Sequence, residues 1–399
     1  AVAYGFIAYL FSDVRHRVLA LFFVLYSGGV GVVVRSVTEM LGFADKQAEA
    51  AVVATQKYAP FSIDLWVPDS NTYLILKQSP HLIASLTLML LVFLLVLCAL
   101  ESKSLRYSAV AGLAATALFQ FHPYQVGTIY GVVGAYFLVL FVLKKEAIID
   151  LIKHGTILLA CSLPSVLYYV WLLFSDWRTR QLAIENVCIT PPPWHVATGY
   201  GAVLVFAVVG IYFLVKSREL YNNRGYLFLG VWLAAQMLLI YAPVDFQRRM
   251  IMGMHVVVSL FAAVGVLFVA ERIGILTRVK KYAAYFCFGA LLILSFMMAG
   301  ADFENSVWFY RNKDWFYISP TKQGAMRWIA DHVSDSNVVL SSWGDGNVIA
   351  GELQKRVFLG HWAETADIWG KTDTLNALFA GTNNNSARIA YFNRNGITH

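Results

Sequence analysis

The sequence predicts an α-helical polytopic membrane protein of about ten spans with a small C-terminal α/β extracytoplasmic domain, and three observations predict it. Of the 399 residues, 58% are hydrophobic and 14% charged, with a mean hydropathy of +0.60; soluble domains carry about 45–50% apolar and about 25% charged residues. Apolar runs approaching the length of a bilayer span recur through the first three quarters of the chain. Beyond residue 301 that character is lost and short helix and strand patterns replace it. An ordinary soluble protein and a disordered chain are both excluded. The formal charge of +7 includes no basic tract, so a nucleic-acid partner is not expected. Cys98, Cys161, Cys188 and Cys287 show neither a disulfide framework nor metal-ligand spacing.

The apolar runs fall at 1–12, 17–35, 82–100, 107–121, 126–143, 156–174, 198–216, 226–242, 251–270 and 283–300. The first opens at Ala1 with no charged flank ahead of it, which reads as a chain whose N-terminal part lies upstream. Lys and Arg concentrate in alternate connections: Arg15 and Arg17; Lys103 and Arg106; Lys144, Lys145 and Lys153; Lys216, Arg218 and Arg224; Arg272, Arg278, Lys280 and Lys281. These are the expected cytoplasmic loops. The opposite connections are 36–81, 122–125, 175–197 and 243–250, and chemistry is expected there, on the outer face. The domains are then 1–300, a transmembrane helical domain with the outer loop 36–81, and 301–399, an outer α/β domain that looks incomplete.

In that tail, Pro320 opens a helix through His332, 337–342 reads as a strand, and 343–347 (TrpGlyAspGlyAsn) as a turn. A helix over 347–354, a strand over 356–360, a helix after Ala366 and a strand at 388–392 complete a parallel α/β pattern.

Polar groups beside apolar spans are the candidate site residues, because an ionisable side chain near hydrocarbon is costly unless paired or hydrated. Asp64 and Asp69 in the first long outer loop can act as a base or bind a metal, or can be surface loop residues. His81 follows Pro80 at the start of a span, where a lipid phosphate would lie or where a helix simply begins. His122, pinned by Pro123 between two nearly continuous spans, can donate to a phosphate or sugar oxygen, or be an interfacial turn residue beside an anchoring Tyr124. Arg248 and Arg249 oppose the usual charge bias, and a guanidinium fork matches phosphate oxygens, with Asp245 able to hold one of them in place. The other reading of these two is snorkelling to headgroups. The loop through Trp177, Arg178, Arg180, Glu185 and the ThrProProProTrpHis run of 190–195 is either a stiff scaffold or a cover over a ligand. Asp345, His361 and Glu364 lie at the carboxyl ends of expected parallel strands, where open α/β sheets gather ligands; His361 can instead pack the tail in place. The sequence holds no Walker loop, no HisGluXXHis and no GlyXSerXGly.

Together SerProHis (79–81), PheHisProTyr (121–124), the ProPro loop followed by GlyTyrGly (199–201), GlnArgArgMetIleMetGlyMetHis (247–255) and ValPheLeuGlyHisTrpAlaGluThr (357–365) resemble the GT-C superfamily of polytopic membrane glycosyltransferases. The resemblance is to bacterial members with a C-terminal extracytoplasmic α/β domain, and spans nearly the whole chain. It implies an inverting transfer of a sugar from a polyprenyl-phosphate donor to an acceptor at the outer face of an inner (cytoplasmic) membrane. It also implies an acidic base in the first outer loop, sometimes with a divalent metal such as Mg or Mn. Partners are then the bilayer and a lipid-linked sugar. The family's acidic motif follows the first span, ahead of where this sequence begins, so Asp64 and Asp69 match it by position only. Arg248 and Arg249, assisted by His122 or His81, would meet the leaving phosphate. A second reading is a non-catalytic membrane subunit, a degenerate relative that scaffolds a larger complex with other membrane subunits. A transporter is a third, weakened by the lack of inverted repeats and of charged residues in mid-span.

Overall fold

The computed structural model describes residues 1–42, 61–274, 280, 282, 284–297, 300, 318–361, 364–380 and 385–399. Part of the outer loop 36–81 and the start of the expected outer domain, 301–317, therefore lie outside the described residues. The chain forms two compact units, Ala1–Val170 with Cys188–Glu304, and Trp171–Val187 with Asn305–His399. The segment 171–187, read in the sequence as the end of the apolar run 156–174 and the start of the outer loop 175–197, groups with the C-terminal tail.

In the first unit every expected apolar run carries a helix, but an apolar run and a span are not the same length. Five helices are long and apolar enough to cross a bilayer: Pro80–Ser102, Gln125–Lys144, Ile148–Ser175, Pro193–Lys216 and Gln247–Gly274, the last beginning in a 3-10 turn. A sixth span arises if Val14–Tyr26 and Gly31–Met40, bent by 45° at the intervening break, are taken together. Val2–Leu10, Leu105–Phe121, Arg224–Leu239 and Ala284–Met297 fall short of the roughly 20 residues a straight span requires. Among the described residues the count is thus five or six rather than ten. The chain is a multi-pass membrane protein.

Local chemistry sets the helix ends. Pro80 and Pro193 occupy first-turn positions, where the missing N–H costs nothing. Asp13 and Asn223 accept backbone N–H groups at the starts of Val14–Tyr26 and Arg224–Leu239. Lys103 and Lys145, both at φ 52°, close Pro80–Ser102 and Gln125–Lys144 in the left-handed conformation.

Two features position the polar loops. The Pro193–Lys216 helix is broken at Gly201 (φ 48°, ψ −128°), and the break faces the one after Tyr26, with Val30 N–H donating to the Thr198 carbonyl at 3.0 Å. Further along, a Cβ on Gly210 would collide with the Phe261 carbonyl oxygen and one on Gly265 with that of Phe206, so this helix and Met254–Gly274 touch backbone to backbone. An aromatic cluster of Phe6, Phe93, Tyr136, Phe228 and Trp232, all fully buried, fills the neighbouring core.

The second unit is largely helical. Trp177–Glu185 starts at Asp176, which accepts from Arg178 and Thr179 N–H groups. Pro320–His332 forms as expected from the sequence. Among the described residues the strands are a parallel pair of two residues each, Val338 with Arg356 and Val339 with Val357. The expected turn at 343–347 is instead the opening of the Trp343–Leu353 helix, because the Ser342 hydroxyl caps it by accepting the Asp345 N–H at 3.1 Å. Residues 388–392, read as a strand, lie inside the Asn385–Arg394 helix. Glu185 accepts the Asp367 N–H on both carboxylate oxygens at 3.0 Å, just ahead of Ile368–Phe379.

Candidate functional site

The structure gathers Asp69, His122, Arg248 and Arg249 from three separate stretches of chain. Asp69 sits in the 3-10 turn Pro68–Ser70, started by Pro68. His122 caps the end of Leu105–Phe121, donating its N–H to the Leu118 carbonyl at 2.8 Å. Arg248 and Arg249 lie in the 3-10 turn Gln247–Ile251. That turn is pinned from within the bundle by Gln236, whose amide donates to the Met250 and Met252 carbonyls at 2.7 and 2.6 Å. Gln125 clamps it from the other side by donating to the Arg249 carbonyl at 2.8 Å, and its amide also lies 3.5 Å from His122 Nδ1.

Asp69 is the hub. Its side chain is 1% exposed; Arg249 Nη1 donates to Oδ2 at 3.1 Å, and His122 Nε2 stands 3.5 Å from Oδ1. Burial by itself would raise the Asp69 carboxyl. The adjacent His122 imidazole and the Arg249 and Arg248 guanidiniums outweigh it and hold the group below the ordinary carboxylate range. Arg248 lies over the Trp66 ring at 4.5 Å from its centroid, and its backbone N–H donates to the Cys188 carbonyl at 3.0 Å. Asp69 Oδ1 and the Nε atoms of both arginines are buried without a hydrogen-bond partner. The cluster is a half-buried pair of guanidiniums, one held by a carboxylate and one by an indole, with polar capacity left over.

The remaining candidates fall elsewhere. Asp64, 2% exposed, accepts the Gly31 N–H at 3.0 Å and bonds the Ser62 hydroxyl at 2.5 Å, tying the start of Gly31–Met40 to the 3-10 turn Ile63–Leu65. Burial pushes its carboxyl up to about 6. His81 is exposed in the first turn of Pro80–Ser102, with Ser79 Oγ 2.5 Å from Nδ1. Asp245, expected to hold one of the arginines, has an exposed side chain, and among the described residues only its carbonyl is engaged, by the Cys188 N–H at 2.6 Å. Asp69 takes that role. In the second unit Asp345 is committed to Lys322 at 2.8 Å and to Ser342 at 3.0 Å, which hold its carboxyl below the ordinary range. The His361 carbonyl accepts the Glu364 and Thr365 N–H groups, forming a turn, and Trp362 and Ala363 lie outside the described residues.

Three participants escape a reading by motif. Trp66 lies between the two aspartates, and Gln125 one helical turn after His122. His255, buried between Ser27 Oγ (3.1 Å) and Thr72 Oγ1 (3.0 Å) and stacked on Tyr200, locks the broken helix pair to the loop that carries Asp69. The only prior signal for His255 is its place in the 247–255 stretch.

A divalent metal does not fit the cluster. Asp69 is one carboxylate with an oxygen already on Arg249 and cations on its flanks, and among the described residues no three His, Cys, Asp or Glu side chains are placed to share an ion.

No family model matches the chain, and no curated protein matches it. Among solved structures it is similar to the crystal structure of the Archaeoglobus fulgidus oligosaccharyltransferase in the apo form, at 12% identity and a TM-score of 0.52. It is similar also to archaeal oligosaccharyltransferase AglB from the same organism, in complex with an inhibitory peptide and a dolichol-phosphate, at 13% identity and a TM-score of 0.52. The chain has the GT-C fold. Both similarities cover 99% of this chain and 56% of the other, so the GT-C fold here spans little more than half the length of those proteins. Within this GT-C fold the Asp69 cluster is built by loops at helix ends, where a bundle can present charge without burying it in hydrocarbon.

Proposed function

We propose that the chain is a membrane glycosyltransferase that takes a sugar from a polyprenyl-phosphate donor, and that Arg248 and Arg249 receive the donor's phosphate. The observation that carries this is the pair of half-buried guanidiniums whose Nε donors are buried without a protein acceptor, beside Asp69. Buried donors lacking a protein acceptor are costly and call for an anionic one. Fixed guanidiniums at the edge of low dielectric stabilise the charge that develops on a departing phosphate without reorganising. The likeness to AglB, solved with a dolichol-phosphate, supports a lipid-linked partner.

Roles follow from the contacts. Arg249 is oriented by Asp69, Arg248 by the face of Trp66, and His122 lies on the far oxygen of Asp69 where it can add a third donor. Asp69, kept ionised by these cations, positions them; Asp64 fastens the loop beneath. Neither is assigned as the base, and transfer with inversion needs one from elsewhere. By the Lys and Arg distribution the site faces the outer side of an inner membrane, with the C-terminal unit on that same side.

The test is binding of polyprenyl phosphate, and transfer of a labelled sugar from its polyprenyl-phosphate ester, by purified wild type and Arg248→Ala. Arg248 has no ion-pair partner among the described residues, so the variant should fold. The expected result is at least about a tenfold loss of lipid-phosphate affinity. Wild-type binding and turnover in the Arg248→Ala, Arg249→Ala double variant would overturn the proposal and leave a non-catalytic subunit as the reading.

A further inference from the structure

A cavity of about 950 Å³ opens at the other end of the Leu105–Phe121 helix from His122, inside the first unit. It lies where the Lys- and Arg-rich connections meet, between the ends of Pro80–Ser102 and Gln125–Lys144 and the starts of Ile148–Ser175 and Arg224–Leu239. Its size is within the range of small-molecule sites. Leu10, Leu100, Leu105 and Leu151 supply apolar wall.

The charges are balanced. Glu101, Glu146 and Asp150 face Lys103, Lys153 and Arg224. Two pairs are closed: Glu146 with Arg224 at 2.5 Å and Asp150 with Lys153 at 3.2 Å. Glu101 and Lys103 have no ion-pair partner among the described residues; Glu101 only accepts the Tyr9 hydroxyl at 2.7 Å. Lys103 is fixed at a left-handed helix terminus, two residues from Glu101. One unpaired anion and one unpaired cation therefore line the same space beside leucines, at the ends of candidate spans.

We propose that this cavity binds the headgroup of a zwitterionic phospholipid bearing a primary ammonium and a phosphodiester. The ammonium donates to Glu101, the phosphate accepts from Lys103, and the upper acyl segments lie along the leucines. A net-anionic headgroup keeps the Lys103 contact but brings no cation to Glu101, and a trimethylated ammonium has no N–H for Glu101. The proposal is independent of the sugar-transfer reading.

The experiment is native mass spectrometry of the delipidated full chain, incubated separately with phosphatidylethanolamine, phosphatidylcholine and phosphatidylglycerol at equal concentration. Phosphatidylethanolamine should be retained at least about fivefold over each of the others, and Glu101→Gln should bring that preference below about twofold. Lys103→Gln, at an exposed position, should lower phosphatidylethanolamine retention, and reads the phosphate arm should Glu101→Gln fail to fold. Equal retention of the three lipids, a preference for phosphatidylglycerol, no retained lipid because protein fills the space, a preference unchanged in Glu101→Gln, or phosphatidylethanolamine retention unchanged in Lys103→Gln would each overturn it.

Discussion

Replacing Arg249 with alanine leaves Asp69 as a carboxylate 1% exposed with an imidazole 3.5 Å away and the Arg248 guanidinium as its remaining favourable neighbours. Removing one member of a buried pair typically costs about 3–5 kcal/mol, because the other charge is left uncompensated. Here there is an escape with a calculable cost. Asp69 can take up a proton, and doing so at pH 7 from an ordinary value of 3.8 costs about 4 kcal/mol. The expected loss is therefore about 3–4 kcal/mol. Asp69→Asn should lose less, about 1–3 kcal/mol, since Arg249 keeps 22% exposure and can reach water. The double variant should fall short of the sum by about 2 kcal/mol, the coupling of a desolvated contact. Equilibrium unfolding in mixed detergent micelles, followed by tryptophan fluorescence, measures all three. The pH dependence has a fixed sign. Because the folded carboxyl lies below its ordinary value, its contribution is complete above the unfolded value, about pH 4, and is lost as pH falls through the folded one. The gap between wild type and Asp69→Asn should be flat from pH 5 to 8 and close only below about 4. An Arg249→Ala variant within about 1 kcal/mol of wild type, or single effects additive to about 0.5 kcal/mol, would refute the hub role of Asp69.

Asp64 behaves in the opposite sense: its folded value of about 6 exceeds the ordinary 3.8, so the fold favours the protonated form, and that advantage is lost as pH rises through 6. Asp64→Asn should stabilise by up to about 3 kcal/mol at pH 8, with the gain vanishing near pH 4; a gain that grows on acidification would contradict this. Gly265→Val should cost at least about 2 kcal/mol in the same unfolding assay, since its side chain must displace the Phe206 carbonyl across the helix contact. Asp345→Ala removes an exposed ion pair with Lys322, both side chains more than a third exposed, and should shift stability by less than about 1 kcal/mol.

The cations of the site were legible because consecutive arginines at the end of an apolar run, and a histidine held by Pro123, are anomalous wherever they stand. Their partner was not. Asp245 is three residues from Arg248, whereas Asp69 lies 180 residues from Arg249, and only the packing of three loops decides between them. The same limit explains Trp66, whose role depends on which face it turns to a distant guanidinium. In the tail, two glycines suggested a turn at 343–347, but the Ser342 cap and the close approach of the Leu359 carbonyl to Gly346 make that stretch a helix start. Residues 388–392 have the composition of a strand and fold as helix, where tertiary context overrides propensity. Apolar runs located the helices, but the run 17–35 is interrupted after Tyr26 and the run 226–242 leaves its helix after Leu239, so among the described residues fewer helices than runs reach the length of a span.

Two of the long apolar helices live in different solvents. Protein encloses 89% of the apolar window of Gln247–Gly274 but only 17% of that of Ile148–Ser175. For the former, the constraint on each position is volume, since neighbours approach to backbone contact and an added methyl has nowhere to go. For the latter it is oiliness, since lipid tails accommodate any shape but no charge. The two helices, alike in composition, are therefore free to change in opposite ways: a valine-to-threonine exchange suits the enclosed helix wherever an acceptor is near, and a leucine-to-phenylalanine exchange suits the lipid-facing one.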